Sequence, residues 1–245
     1  MSTAKRLTCR EGYAIWATTY DQEQNPLILT EEPRVKAVLA SLTPTSCALD
    51  VATGTGRWAL YLAERGVSVT GIDESPEMVA VAQQKARAAN LPIMFIQGAI
   101  EDGLPFSSDS FDLVVCALAL CHVLDLQAAV AECSRVLRPG GHLLITDFHP
   151  QAVLNGWETT IVGAEDTFTL PNARHSLSGY LEAVRESGCD VVHLEEVLVR
   201  EQPQEAILRG EDVELFMRQY GDWPFCLILL ARHREDESTN SPLRV

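Results

Sequence analysis

Residues Ala48 to Leu60 read ALDVATGTGRWAL: an apolar run ending in Asp50, a turn of small residues holding Gly54 and Gly56, then helical spacing. The pattern predicts a strand, a tight turn and the start of a helix, with backbone N–H groups facing outward where a nucleotide-like ligand can approach. Neither glycine has a Cβ, so the turn can take positive φ and a ligand can lie against the main chain. Residues further along the chain decide which ligand that is.

Downstream, short β-rich runs alternate with helical patterns, the signature of a parallel sheet covered by helices on both faces. Val67–Asp73 reads as the second strand, and Ser75-Pro76 as an N-cap with proline at the first helical position. Ile93–Gln97 is a third strand and Phe111–Leu118 a buried fourth. Asp125 caps a helix that Arg138-Pro139-Gly140-Gly141 stops before a fifth strand, His142–Phe148. From Gln151 to Arg174 periodicity is lost, as in a lid or substrate loop. Leu177, Tyr180, Leu181 and Val184 restore a helix, Val191–Val199 gives a sixth strand, a short helix spans 212–220, and Phe225–Ala231 gives a seventh. The last two strands are joined too compactly for a full parallel crossover, which predicts an antiparallel strand. Tyr13, Trp16, Ala17 and Tyr20 form a helical aromatic stripe before the first strand. The resulting plan is an N-terminal helical cap (1–35), a ligand-binding core (36–150), a lid (151–174), the remainder of the sheet (175–233) and a frayed tail (234–245).

With 245 residues, 47% of them hydrophobic, the chain is long enough for a substantial core. Nineteen Lys+Arg against 34 Asp+Glu give a net charge of −15, which repels a phosphate backbone and argues against nucleic acid as partner. No run reaches the roughly 18–20 apolar residues of a membrane span, and no apolar segment follows Lys5, Arg6 and Arg10 as in a signal peptide. The seven cysteines lack the paired spacing of a zinc site, so no metal is expected and a reduced, cytoplasmic protein is. No feature specifies an oligomeric state.

Two cofactor classes compete for the glycine turn. Gly54-Thr55-Gly56-Arg57-Trp58-Ala59 satisfies the G-x-G-x-x-A dinucleotide fingerprint, with Asp73 near the position of the ribose-binding carboxylate, so an NAD(P)-dependent oxidoreductase is one reading. Asp50-Val51-Ala52-Thr53-Gly54-Thr55-Gly56, however, resembles the D-x-G-x-G-x-G motif of class I S-adenosylmethionine-dependent methyltransferases, with Ala52 at the first glycine. Gly98–Phe106 (GAIEDGLPF), Phe111–Val115 (FDLVV) and Arg135–Gly141 (RVLRPGG) resemble further segments of that family, nearest its ubiquinone/menaquinone-biosynthesis-like small-molecule group. The resemblance extends over roughly Ala17 to His233. It implies a Rossmann-like α/β fold: a seven-stranded sheet in order 3-2-1-4-5-7-6, strand 7 antiparallel, with helices on both faces.

The same resemblance implies S-adenosylmethionine as cofactor. Asp50, Ala52, Thr53, Gly54 and Gly56 would hold its methionine part, and Asp73 its ribose hydroxyls. Glu74 and Met78 would flank ribose and adenine, Ala99, Ile100 and Glu101 would lie on the adenine side, and Tyr20, Ala117 and Leu118 would line the ligand. Relatives carry an acid where this chain has Ala99, a role left here to Glu101 or Asp102. Tyr13, Trp16 and Trp157 are the candidate contacts for a small-molecule acceptor.

Methyl transfer from a sulfonium is an in-line displacement, so alignment and exclusion of water matter most. A general base is required only where the acceptor must lose a proton. His122 follows the fourth strand and His149 the fifth, the strand ends at which reacting groups gather in open α/β sheets. His175 is read as a helix cap, and His142, His193 and His233 as structural. A third class, a cofactor-binding regulator or scaffold that transfers no methyl, is compatible with the same motifs.

Overall fold

The computed structural model describes residues 5–42, 45–162, 166–202 and 213–235. Seven strands form the main sheet: β2 (Cys47–Val51), β3 (Ser68–Asp73), β4 (Met94–Gln97), β5 (Phe111–Ala117), β6 (Leu137–Phe148), β9 (Cys189–Leu198) and β10 (Pro224–His233). Their order is β4-β3-β2-β5-β6-β10-β9, and β10 runs antiparallel to both neighbours. The 3-2-1-4-5-7-6 order is therefore the observed one.

Alternation along β2 sends successive side chains to opposite faces. Leu49 and Val51 join the core beneath α5 (Leu126–Arg135) and α7 (Leu177–Glu186), while Ala48 packs with α2 (Pro26–Ser41) and α3 (Arg57–Ala63). β10 has Phe225 to Ala231 buried throughout, as expected of a strand enclosed by two neighbours and covered on both faces. The chain order reverses between β2 and β5, and ligands of open α/β sheets bind at such a switch point, outside the carboxyl ends of the strands.

Three regions differ from the sequence expectation. β6 begins at Leu137 rather than His142, because Leu137 already pairs with Phe111; the Pro139-Gly140-Gly141 insertion is absorbed as an irregularity, with Gly140 at φ +79°. The boundary at residues 35/36 falls inside α2, a continuous helix through Ser41. Residues 151–174 are not structureless. α6 (Pro150–Leu154) is followed by a hairpin of β7 (Thr159–Val162) and β8 (Thr167–Leu170), and β1 (Lys5–Arg6) pairs parallel with β8 to make a second, three-stranded sheet. Thr159, Thr160 and Ile161 supply β-branched residues, but too few for a periodicity to register. The helix expected from Asp212 spans Val213–Tyr220 as α8; Asp212 and the tail from 236 onward lie outside the described residues.

The second sheet carries α1 (Cys9–Trp16), which opens with a capping box between Thr8 and Glu11. Trp16, Ala17, Ile161 and Leu170 pack with Met78 of α4 (Pro76–Ala88) in a separate small core. Gly12 lies so close to this hairpin that a Cβ there would stand 2.2 Å from Leu170 Cδ2. All seven cysteines are free thiols, and no helix among the described residues is long and apolar enough to cross a membrane.

Candidate active site

A cavity of about 320 Å³ opens over the ends of β2, β3 and β5, at the small end of the usual range for ligand clefts. Its floor begins with the glycine turn. Ala52 adopts φ +52°, so the alanine at the motif's first glycine takes a left-handed conformation that glycine adopts without steric cost. Gly54 (φ +55°) has open space where a Cβ would be, and its N–H donates to Asp73 Oδ2 at 2.7 Å. Asp73 Oδ1 accepts from the Ser75 N–H at 2.9 Å, fixing the carboxylate at the cavity wall, and burial raises its pKa above the ordinary carboxylate value.

Asp50, Thr53 and Gly56 do not line this cavity, a correction to the role given them as ligand contacts. Asp50 lies beneath the turn, where one oxygen, Oδ2, accepts from Thr53 Oγ1 (2.6 Å) and from the Ala59 N–H (2.9 Å). Burial pushes this carboxyl up to about 7 against the lowering effect of those two hydrogen bonds. Gly56 is needed for a different reason: φ is +84°, and a Cβ would come within 3.1 Å of Ala82 on α4.

Glu74, Met78, Ala99, Ile100 and Glu101 all reach the cavity on its β3–β4 side. Burial, then Glu101, raises the pKa of Glu74. At the end of β5, Ala117 and Leu118 line the opposite side. Leu118 has φ +56°, costly for a residue with a γ-branched side chain, and its N–H is held by the Thr146 carbonyl at 2.8 Å.

The roof comes from the N-terminal segment. Tyr13 and Tyr20 line the cavity, and burial pushes the Tyr20 hydroxyl up to about 12. Trp16 sits behind them, 5.8 Å from the Tyr13 ring and 4.8 Å from that of Tyr20, so its role is packing rather than acceptor contact. Thr8, Cys9 and Arg10 also line the roof and escaped the sequence reading. The Thr8-x-x-Glu11 capping box carries the signal that finds them, because it fixes where α1 starts. Two further ties were not foreseen. Asp21 Oδ1 accepts from Thr55 Oγ1 at 2.7 Å, and buried Glu31 accepts from Arg57 (2.6 Å) and from Thr146 Oγ1 (2.6 Å).

The two candidate histidines part company. His122 lines the cavity, with Nδ1 2.9 Å from the Pro171 carbonyl and Nε2 3.1 Å from Tyr13 Oη. His149 is a correction: it is buried away from the cavity, Nε2 bonded to Glu196 (3.0 Å) and Nδ1 accepting from the Gln151 N–H as the N-cap of α6. Trp157 is corrected too. It belongs to an aromatic cluster with Phe148, Phe216, Tyr220, Trp223 and Phe225 on the other side of the sheet. Among the described residues no group of three or more His, Cys, Asp or Glu is placed to hold a metal.

Residues 49–145, which contain the floor, match a family described as a methyltransferase domain. This chain carries a methyltransferase domain. The demethylmenaquinone methyltransferase of Thermus thermophilus is 43% identical to it over 104 residues, 42% of this chain and 47% of that one. A methyltransferase of Streptomyces halstedii is 30% identical over 171 residues, 68% of this chain and 61% of its own length. The chain spans about half the length of the curated relatives it matches. The crystal structure of an S-adenosylmethionine-dependent methyltransferase from Mesorhizobium loti superposes with a TM-score of 0.63 at 25% identity, covering 83% of this chain and 98% of that one. The match of 49–145 includes the glycine turn, Asp73, the 98–106 segment and most of β6, but none of the roof.

Proposed function

We propose that the chain transfers a methyl group from S-adenosylmethionine to a small-molecule acceptor. The observation that carries this reading is the charge around the glycine turn. At the start of α3, where a dinucleotide would place its pyrophosphate, Lys85 is paired with Asp21 (2.7 Å) and Arg57 with Glu31 (2.6 Å), so neither cation is left to meet a diphosphate. Asp73, Glu74 and Glu101 add carboxylates along the cavity wall. This acid-rich setting opposes a diphosphate and suits a ligand that bears a sulfonium and an ammonium group.

The open space at Gly54 and the adjoining Asp73 carboxylate fit that cofactor. Asp73 would accept from its ribose hydroxyls, Ile100 and Met78 would border its adenine, and Ala52 and Gly54 would let its methionine part lie against the backbone. When bound, it supplies an electrophilic methyl carbon whose transfer leaves a neutral thioether. The chain's task is to hold the acceptor in line, with Leu118 and Tyr13 closing the space against water. The relatives' names make a demethylated quinol the first acceptor to assay. Seven free cysteines, five of them buried, suit a reducing compartment.

Thermal denaturation tests the reading. S-adenosylhomocysteine is expected to raise the melting temperature in a concentration-dependent way and NAD to leave it unchanged, while Asp73→Ala weakens the first effect by about tenfold or more in affinity. Stabilisation by NAD alone would replace the reading with the oxidoreductase one. A regulator would bind S-adenosylhomocysteine yet place no radioactive methyl in any component of a metabolite extract.

A further inference from the structure

Tyr13 and His122, 109 residues apart in sequence, meet at the cavity wall in a fixed order of hydrogen bonds. The Pro171 carbonyl can only accept, so His122 Nδ1 donates to it across 2.9 Å. The neutral ring must then carry its lone pair on Nε2, where Tyr13 Oη donates at 3.1 Å. Both imidazole nitrogens are thereby occupied, and an acceptor in the cavity cannot touch His122 without breaking a bond. The tyrosine oxygen retains a lone pair.

We propose that Tyr13 and His122 form a proton relay for the methyl acceptor, which is accordingly a molecule that gives up a proton, a phenol, enol or acidic carbon, rather than an amine arriving neutral. The inference rests on the methyl-transfer reading above. As the acceptor atom bonds to the methyl carbon, the S–CH3 bond breaks and its electron pair stays on sulfur. The acceptor's proton passes to Tyr13 Oη while the Tyr13 proton passes to His122 Nε2, leaving an imidazolium that later releases its proton to solvent. The positive charge lost from sulfur reappears on His122, so the net charge of the enclosed site is conserved.

The surroundings of the pair suit this exchange. Burial lowers the pKa of His122, but Cys9, the Pro171 carbonyl and Asp147 raise it further, leaving it above the ordinary histidine value. Glu74 and Arg10 face the same cavity with opposite charges. Burial holds the Tyr13 hydroxyl well above the ordinary phenol range, with Tyr20, Cys121, Cys9 and Asp73 adding to the effect. Tyr13 therefore stays protonated and passes a proton on rather than storing a negative charge. The turn carrying His122 is itself anchored, because buried Asp147 Oδ2 accepts from the Cys121 N–H (2.7 Å) and from Tyr180 Oη (2.7 Å).

The test uses the full chain saturated with S-adenosylhomocysteine and para-nitrophenol as probe, a phenol whose acidity is near that of imidazole and which absorbs in the visible only when ionised. Bound to the complex, the probe should ionise about tenfold more readily than in water. Tyr13→Phe and His122→Gln should each abolish that gain while S-adenosylhomocysteine affinity stays unchanged. Tyr13→Phe keeps the ring stacked on Trp16, so it carries the test alone if His122→Gln fails to fold. Three results overturn the relay: no binding of the probe to the complex, an ionisation curve like that in water, or the same gain in wild type and variants. Failure of S-adenosylhomocysteine itself to bind removes the methyl-transfer reading, and the relay with it.

Discussion

The floor and the roof of the cavity are built on different principles. The floor is one continuous stretch, Asp50 to Asp73, whose parts fix each other locally: Thr53 N–H on the Ile72 carbonyl (2.9 Å), Gly54 N–H on Asp73, Ala59 N–H on Asp50. The roof is assembled from segments far apart. β1 pairs with β8, α1 leans on the hairpin through Gly12, and Pro171 follows β8 to meet His122. On the proposed reading, the cofactor would be met by the locally bonded part and the acceptor by the part that depends on long-range pairing. Binding of the cofactor and geometry at the acceptor end should then be separable by mutation.

Gly12→Ala is the strongest test of that separation. The new methyl would press on Leu170, which is fully buried, and overpacking of this kind costs about 1–3 kcal/mol, offset by up to about 1 kcal/mol of better helix propensity. We expect a lower denaturant midpoint and loss of the Tyr13–His122 contact, visible as a change in the imidazole nitrogen resonances. Affinity for S-adenosylhomocysteine, measured by calorimetry, should fall by less than the stability does. An equal fall would mean that roof and floor act as one body.

On the floor, Asp50 provides a pH-dependent counterpart. Its carboxyl is raised from 3.8 to about 7 in the folded chain, so the stability it contributes is complete below the unfolded value and is lost as pH rises through about 7. Asp50→Asn keeps one carbonyl oxygen for both Thr53 and Ala59 while removing the ionisation. Between about pH 5 and pH 7 the wild type should lose at least about 1 kcal/mol relative to the variant in urea unfolding. Parallel curves would place an unseen compensating charge beside Asp50.

Much of the floor was legible because its spacing and its fold are the same information: the turn, Asp73 and the strand alternation are consecutive in sequence. Even there, spacing did not distinguish residues that face the ligand from those that hold the turn, and Asp50, Thr53 and Gly56 proved to be behind it. Other motif residues also serve the scaffold. Arg135 binds the Leu104 and Phe106 carbonyls, and Asp112 accepts from Arg138 and from the Ser46 and Cys47 N–H groups. The rule that reacting groups gather at strand ends placed both His122 and His149 correctly along the chain. It could not say which way each ring turns, and β6 faces β10, where the Phe225 carbonyl takes the His149 N–H and Glu196 its ring. The roof was hidden for a simpler reason. A two-residue strand has no periodicity, and its partner lies in the stretch whose pattern was weakest.

The smallest effect concerns the floor's one departure from its motif. Ala52 holds φ +52°, a conformation that costs an L-residue about 1–2 kcal/mol and glycine almost nothing. Glycine, however, loses more backbone freedom on folding, by about 0.4–1 kcal/mol. Ala52→Gly should therefore stabilise the chain by a few tenths to about 1 kcal/mol in denaturant unfolding, with the cofactor's affinity unchanged or slightly higher. Destabilisation instead would show that the Ala52 methyl, half-buried at the cavity wall, packs against something the floor needs. The substitution would then separate two explanations for alanine at this position, tolerance of a strained turn or selection of a methyl against the ligand, because only the second predicts weaker binding by the glycine variant.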